Sequence, residues 1–228
     1  MKLLAVETST DACSAALSID GEIVEQFAIA PREHTRLIMV MIDELMSEAQ
    51  LKPQQLDAVA LSRGPGSFTG VRIATGVAQG IAFGAEVPVV LVSTLAAIAQ
   101  DFFNQHPHTK VSFTAMDARM DEIFWGVYLR NPIGLAELLG DEAVTPAATA
   151  IFPDIEGFGV GSGWLAQGEV LQNRMTGRVQ GVFSEVWPRA SCIAQLGAND
   201  YASGLAVPPQ LAIPVYLRDK VAKKQSER

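Results

Sequence analysis

With 228 residues, 49% of them hydrophobic and 18% charged, the chain suits one large domain or two small ones around a sizeable core, which excludes wholesale disorder. A formal net charge of −8 makes it a poor stand-alone binder of phosphate backbones. No apolar run approaches the roughly 18–20 residues that span a bilayer, and Glu7 and Asp11 interrupt the opening apolar run before a signal core develops, so the expected location is the cytoplasm.

Residues 2–7 read as a strand and 12–19 as a second, and Asp20-Gly21 signals a two-residue hairpin into a third at 22–29. A helix is expected over about 32–49, after Pro31 and ending near Pro53. It carries "LIMVMI" at 37–42, an apolar girdle rather than the single stripe of a surface helix. The run "LDAVALS" at 56–62 suits a buried parallel strand. A helix at 68–83, a strand at 88–93 and a helix to about Asn104 follow. The polar "NQHPHTK" then marks a boundary between an N-terminal lobe, 1–104, and a C-terminal lobe, 105–228. In the latter, strands are expected near 111–117, 122–130 and 135–144, a strand running into a glycine turn at 155–164, a helix at 189–203 and an extended C-terminal segment after Pro208-Pro209. Strands mixed with helices in two halves indicate an α/β protein. The basic residues clustered over 218–228 read as a solvated tail.

The stretch "SRGPGSFTGVRIATG", 62–76, imitates a phosphate loop. It is not a Walker A loop, because five residues separate Gly64 from Gly70 and Val71 stands where the phosphate-binding lysine belongs. It is not a dinucleotide fingerprint either, because Thr69 replaces the third glycine. A strand end still delivers the chain to a helix N-terminus, which favours anions. Ser67 or Thr69 can cap that helix, and Arg72 lies in its first turn. Two readings stay open: a capped tight turn with Arg72 paired to a carboxylate, or an anion site.

Beyond the loop, Gly76, Gly80 and Gly84 fall four apart, as do Ala74, Ala78 and Ala82. Helical glycines cost about 1 kcal/mol each relative to alanine, so a close backbone approach is expected, by the sheet, the preceding helix or a partner. The same alternatives hold for the apolar girdle. The helix pair as a partner interface comprises Leu37, Ile38, Met41, Ile42 and Leu45 on the first helix and Ala74, Val77, Gly80 and Ile81 on the second.

The first strand ends in Glu7, Thr8 and Ser9, a turn similar to the one that approaches the nucleotide phosphates in the actin/Hsp70/sugar-kinase (ASKHA) superfamily. Together, "LAVETSTDACSAAL", "REHT", "SRGPGSFTGVRIATGVAQGIAFG", "DARMDEIFWGVY" and "PVYLRDKVA" occur in the order, and with the character, of the bacterial TsaB (YeaZ) family of tRNA threonylcarbamoyladenosine (t6A) biosynthesis, which the chain closely resembles. The resemblance implies two actin-like, ribonuclease H-like lobes, each a mixed sheet flanked by helices. It also implies an accessory subunit that is not itself an enzyme. The larger paralogue TsaD carries the metal and transfers the threonylcarbamoyl group to N6 of adenosine-37, in tRNAs that read codons beginning with A. TsaC makes the adenylate that donates the group, and the ATPase TsaE joins the assembly. TsaB-like proteins meet TsaD through helices of the first lobe and self-associate through a similar surface; contact with tRNA is indirect and no membrane is involved.

No catalytic or metal residue is expected on this chain: the H-x-x-x-H ligand pair of the catalytic relative is missing, because Ile38 stands four residues after His34. No intrinsic cofactor is expected, with ATP or ADP bound at the boundary with TsaD. Candidate nucleotide or anion contacts are Glu7, Thr8, Ser9, Gly64, Gly66, Ser67 and Arg72. The rival reading is a self-sufficient nucleotide-dependent kinase or ATPase using the first turn and the loop. A third, a metal-dependent peptidase, is disfavoured by the missing ligand pair.

Overall fold

A computed structural model describes residues 1–218. Two five-stranded mixed sheets repeat one topology. In the first, β1 (Lys2–Glu7) lies centrally and pairs antiparallel with β2 (Ala12–Ile19), which pairs antiparallel with β3 (Glu22–Ile29). On its other side β1 runs parallel to β4 (Ala58–Ser62), and β4 to β5 (Val89–Val92). In the second sheet β6 (Val111–Asp117) takes the place of β1. It pairs antiparallel with β7 (Glu122–Arg130), which pairs with β8 (Ala136–Pro146). On the other side β6 runs parallel to β9 (Gly157–Val160), and β9 to β10 (Val179–Phe183).

Local chemistry explains the frame. The central strands β1 and β4 are near-continuous apolar runs, as strands covered on both faces require. Asp20 and Gly21 both adopt positive φ (50° and 93°), the two-residue turn whose twist matches a hairpin. Helix α1 (His34–Glu48) buries Ile38, Met41, Ile42, Leu45 and Met46, one face at helical spacing, against the first sheet. Helix α2 (Phe68–Ala85) is capped by Ser67, whose Oγ accepts from the Gly70 amide at 3.3 Å. Its Ala74, Ala78 and Ala82 enter the same core.

The last helix of each half crosses to the other. Helix α3 (Thr94–Gln105) sets Leu95, Ile98, Phe102 and Phe103 against Met116, Tyr128 and Val160 of the second sheet. Helix α5 (Ala190–Ala202) sets Ala190, Ile193, Ala194 and Leu196 against Leu3, Ala5, Ala60 and Val90 of the first. The expected division at residue 104 therefore separates the sheets but misplaces α5, whose apolar face completes the N-terminal lobe. Arg189 fixes this crossing by pairing with Glu25 of β3 at 2.5 Å.

Helix α4 (Gly163–Arg174) and β10 were not expected. The helix buries only Gly163, Trp164 and Leu171 and is interrupted at Gln167, so it lacks a clear 3.6-residue stripe. β10, an edge strand carrying Gly181, is nowhere fully buried. After a bridge from Val207 to Val89, residues 212–218 run without helix or strand. Of the basic C-terminal cluster only Arg218 is described; Lys220, Lys223 and Lys224 lie outside the described residues.

Candidate functional site

The carboxyl ends of β1 and β4 bring the first turn and the glycine loop together. The Thr8 hydroxyl donates to the Gly70 carbonyl at 2.7 Å, and the Ser67 amide donates to the Ser9 carbonyl at 2.7 Å. A Cβ on Gly66 would lie under 3.0 Å from the Ser9 carbonyl oxygen, and one on Gly70 under 3.0 Å from that of Thr8, separations that real Cβ atoms essentially never show. These glycines thus admit the chain's own backbone, where the phosphate-loop reading expected a ligand. Gly64 has φ +100° and its carbonyl accepts from the Thr94 amide at 3.0 Å, which ties the loop to the start of α3.

Behind the turn lies Glu7, fully buried. Its Oε1 accepts from the amide and the hydroxyl of Ser9 at 2.5 and 2.6 Å, and Thr94 Oγ1 donates to Ser9 Oγ at 3.1 Å. Glu7 Oε2 and Ser62 Oγ, on neighbouring strands, have no partner among the described residues. Burial pushes the Glu7 carboxyl above the ordinary carboxylate range, opposed by the Ser9 hydrogen bonds and by the Ser62 hydroxyl beside it. The folded chain therefore keeps a proton that the unfolded chain releases above about pH 4.3, so this residue's contribution falls as pH rises from there toward the folded pKa. Glu7→Gln keeps an oxygen for Ser9 and puts an amide donor at the unpartnered position. The expected result is stability at pH 8 equal to or above that of the parent, with a shallower decline between pH 5 and 8 in urea titrations. An unchanged slope would contradict it.

The second lobe repeats the arrangement. Gly161 and Ser162 lead into α4, which opens with Gly163, and Cβ atoms on both glycines would strike Ala115. Ser162 Oγ accepts from the Asp117 amide at 3.2 Å. Between the two turn-and-loop pairs lies a cleft of about 400 Å³, lined by Ser9, Gly66, Ser67, Asp117, Ser162 and Arg218 among others. Asp117 pairs with Arg119 at 3.0 Å and Arg218 with Glu122. No lysine lines the cleft among the described residues.

Of the candidate ligand contacts, Ser9, Gly66 and Ser67 reach the cleft. Glu7, Thr8 and Gly64 do not: all three are buried behind the first turn and the loop, because the hydrogen bonds between turn and loop close over them. Among the described residues Arg72 pairs with no carboxylate; its Nη1 donates to the Phe68 carbonyl at 3.2 Å. It is exposed, and its guanidinium lies 3.3 Å from the ring centroid of Phe68 and 5.0 Å from that of Tyr216. Tyr216 and Arg218, on the cleft wall, were not among the sequence candidates; "PVYLRD" had marked the segment without a role.

The helix-pair surface also needs correction. Ile38, Met41, Ile42, Leu45 and Ala74 are core residues, because their phase points them at the sheet. Leu37, Val77 and Ile81 are partly buried against that core. The outward face carries Gly80, as expected, together with Met39 and Val40, each 50% exposed, Phe83 at 78%, Gly76 and Gly84. Nothing lies within 4 Å of a Cβ built on any of these three glycines. Their cost to the helix is thus not recovered by packing among the described residues.

His34, buried, has Nε2 3.2 Å from the Ala12 carbonyl, and the His106 ring makes tilted contacts with those of Phe102 and Phe183. Among the described residues no three His, Cys, Asp or Glu side chains gather as a metal-holding group. Cys13 and Cys192 are buried free thiols; burial and nearby Glu7 push Cys13 up to about 11. No helix among the described residues is long and apolar enough to cross a membrane.

Two lobes of one repeated topology, closing a cleft with turn-and-loop pairs at the carboxyl ends of their strands, define an actin-like (ASKHA) protein. The sequence model of the family described as "TsaD: tRNA N6-adenosine threonylcarbamoyltransferase" matches residues 28–225. The tRNA threonylcarbamoyladenosine biosynthesis protein TsaB of Escherichia coli is 37% identical, over 99% of this chain and 98% of its own length. The TsaB of Haemophilus influenzae is 36% identical, over 99% and 97%. The solved structure of YeaZ from Pseudomonas aeruginosa superposes with a TM-score of 0.88 at 38% identity, covering 95% of this chain and 99% of that one. The chain belongs to the TsaB (YeaZ) family.

Proposed function

We propose that the chain is a non-catalytic accessory subunit of tRNA t6A biosynthesis, which the transferase TsaD requires in order to threonylcarbamoylate N6 of adenosine-37. The observation that carries this reading is the end-to-end match to TsaB biosynthesis proteins. The geometry supports it. The glycines of the loop are occupied by the chain's own first turn, and no lysine lines the cleft among the described residues, which weighs against a self-sufficient kinase or ATPase. The outward face of α1 and α2, with its open glycines and exposed Val40 and Phe83, is the docking face for TsaD, and for a second copy of the chain when TsaD is absent. TsaE joins the pair, and ATP or ADP binds at the boundary with TsaD. The negative charge fits a subunit that leaves tRNA contacts to its partners in the cytoplasm.

Calorimetric titration of the isolated chain tests this reading. TsaD should bind, and ATP with magnesium should give no turnover. Turnover of ATP by the isolated chain would overturn it.

A further inference from the structure

The C-terminal segment lines the cleft and is fastened to both lobes. At its root, Gln79 of α2 donates to the carbonyls of Pro209 and Ala212 at 3.0 and 3.1 Å. The Val215 amide then donates to the Arg63 carbonyl at 2.8 Å, and a Cβ on Gly64 would lie 2.9 Å from the Val215 carbonyl oxygen. The Tyr216 ring stands 6.0 Å from that of Phe68, with the Arg72 guanidinium against both. All these anchors belong to the first lobe. Arg218 then reaches the second: its guanidinium donates to the Ala118 carbonyl at 2.9 Å and to the Glu122 carboxylate. Val215, Tyr216, Leu217 and Arg218 all line the cleft.

We propose that residues 213–218 are a latch that holds the cleft between the lobes shut, and that entry to the cleft requires Arg218 to leave the turn between β6 and β7. The segment has the character of a part that moves. It has no helix or strand of its own, Ile213 and Tyr216 stay substantially exposed, and among the described residues its hold on the second lobe passes through one side chain. That side chain is charged, and its ion pair with Glu122 keeps some access to water, the two side chains being 19% and 30% exposed. The first-lobe anchors are backbone hydrogen bonds and ring contacts, so release at Arg218 swings the segment without detaching it. The cleft then alternates between a latched and an open form, and anything that binds the open form shifts the balance toward it.

The test places a thiol in the cleft by Ser184→Cys and follows its reaction with a small aromatic disulfide. Cys13 and Cys192, both buried, are the internal standard. Arg218→Ala, and separately Glu122→Gln, which alters only the second-lobe side of the contact, are each compared with the parent. Both should raise labelling at position 184 by about tenfold while the native thiols stay slow, the selective signature of local opening. Unchanged labelling in both variants would overturn the latch. So would native thiols that speed up in step with position 184, because the opening would then be general rather than confined to the cleft.

Discussion

Gly70→Ala should destabilise the protein by about 3 kcal/mol or more, whereas Gly80→Ala, on the same helix, should stabilise it by up to about 1 kcal/mol. The contrast follows from what each glycine faces. A methyl group at position 70 would collide with the Thr8 carbonyl oxygen, a backbone atom held at the end of the central strand, so relief requires the first turn to move away from α2. That movement would break the Thr8–Gly70 and Ser67–Ser9 hydrogen bonds. At position 80 a methyl group enters open space and only restores helix propensity. Urea unfolding of the two variants beside the parent measures both differences. Equal effects at the two positions would mean that the first turn does not occupy the loop.

Gly80→Arg and Val40→Asp should each weaken binding to TsaD by about a hundredfold or more, the loss expected when a charge enters the desolvated centre of an interface. Both sites are exposed, so circular dichroism and thermal unfolding should match the parent. Met41→Asp, one position further along α1, should behave differently. Met41 is only 7% exposed, and a buried, unpaired carboxylate there should unfold the lobe before any interface is tested. Undiminished TsaD binding by both surface variants would remove the helix pair from the interface.

Much of the frame was legible in the sequence, and its failures have physical causes. The three strands of the first meander fall where the apolar runs and the Asp20-Gly21 turn place them, because a central strand and a tight hairpin leave little freedom of register. The girdle at 37–42 signalled that α1 has two apolar faces. Composition alone does not phase the helix, so the inward Met41 and Ile42 were expected at the surface in place of the outward Met39 and Val40. The glycine loop was read as a capped turn or an anion site, and close approach was expected at Gly76, Gly80 and Gly84, where the structure leaves open space. Which group approaches the loop is set by a contact across more than fifty residues, Thr8 to Gly70, and no local pattern encodes it. The exchange of α3 and α5 between lobes was not legible for the same reason, since chain order suggests lobes and packing assigns helices. Helix α4 was hidden by its own chemistry: a polar sequence with two glycines that buries few residues. In the site itself, the hydroxyls and glycines were visible, but the place of Tyr216 and Arg218 on the cleft wall depends on a segment returning from the far end of the chain.

The central claim is that TsaD needs this chain without the chain performing the chemistry. Its most direct measurement is threonylcarbamoylation of unmodified tRNA by TsaC, TsaD and TsaE with the parent chain, with Gly80→Arg, or with neither. Modification should proceed with the parent chain, fall to background when it is omitted, and stay near background with the folded Gly80→Arg variant. Full modification in its absence would contradict the account.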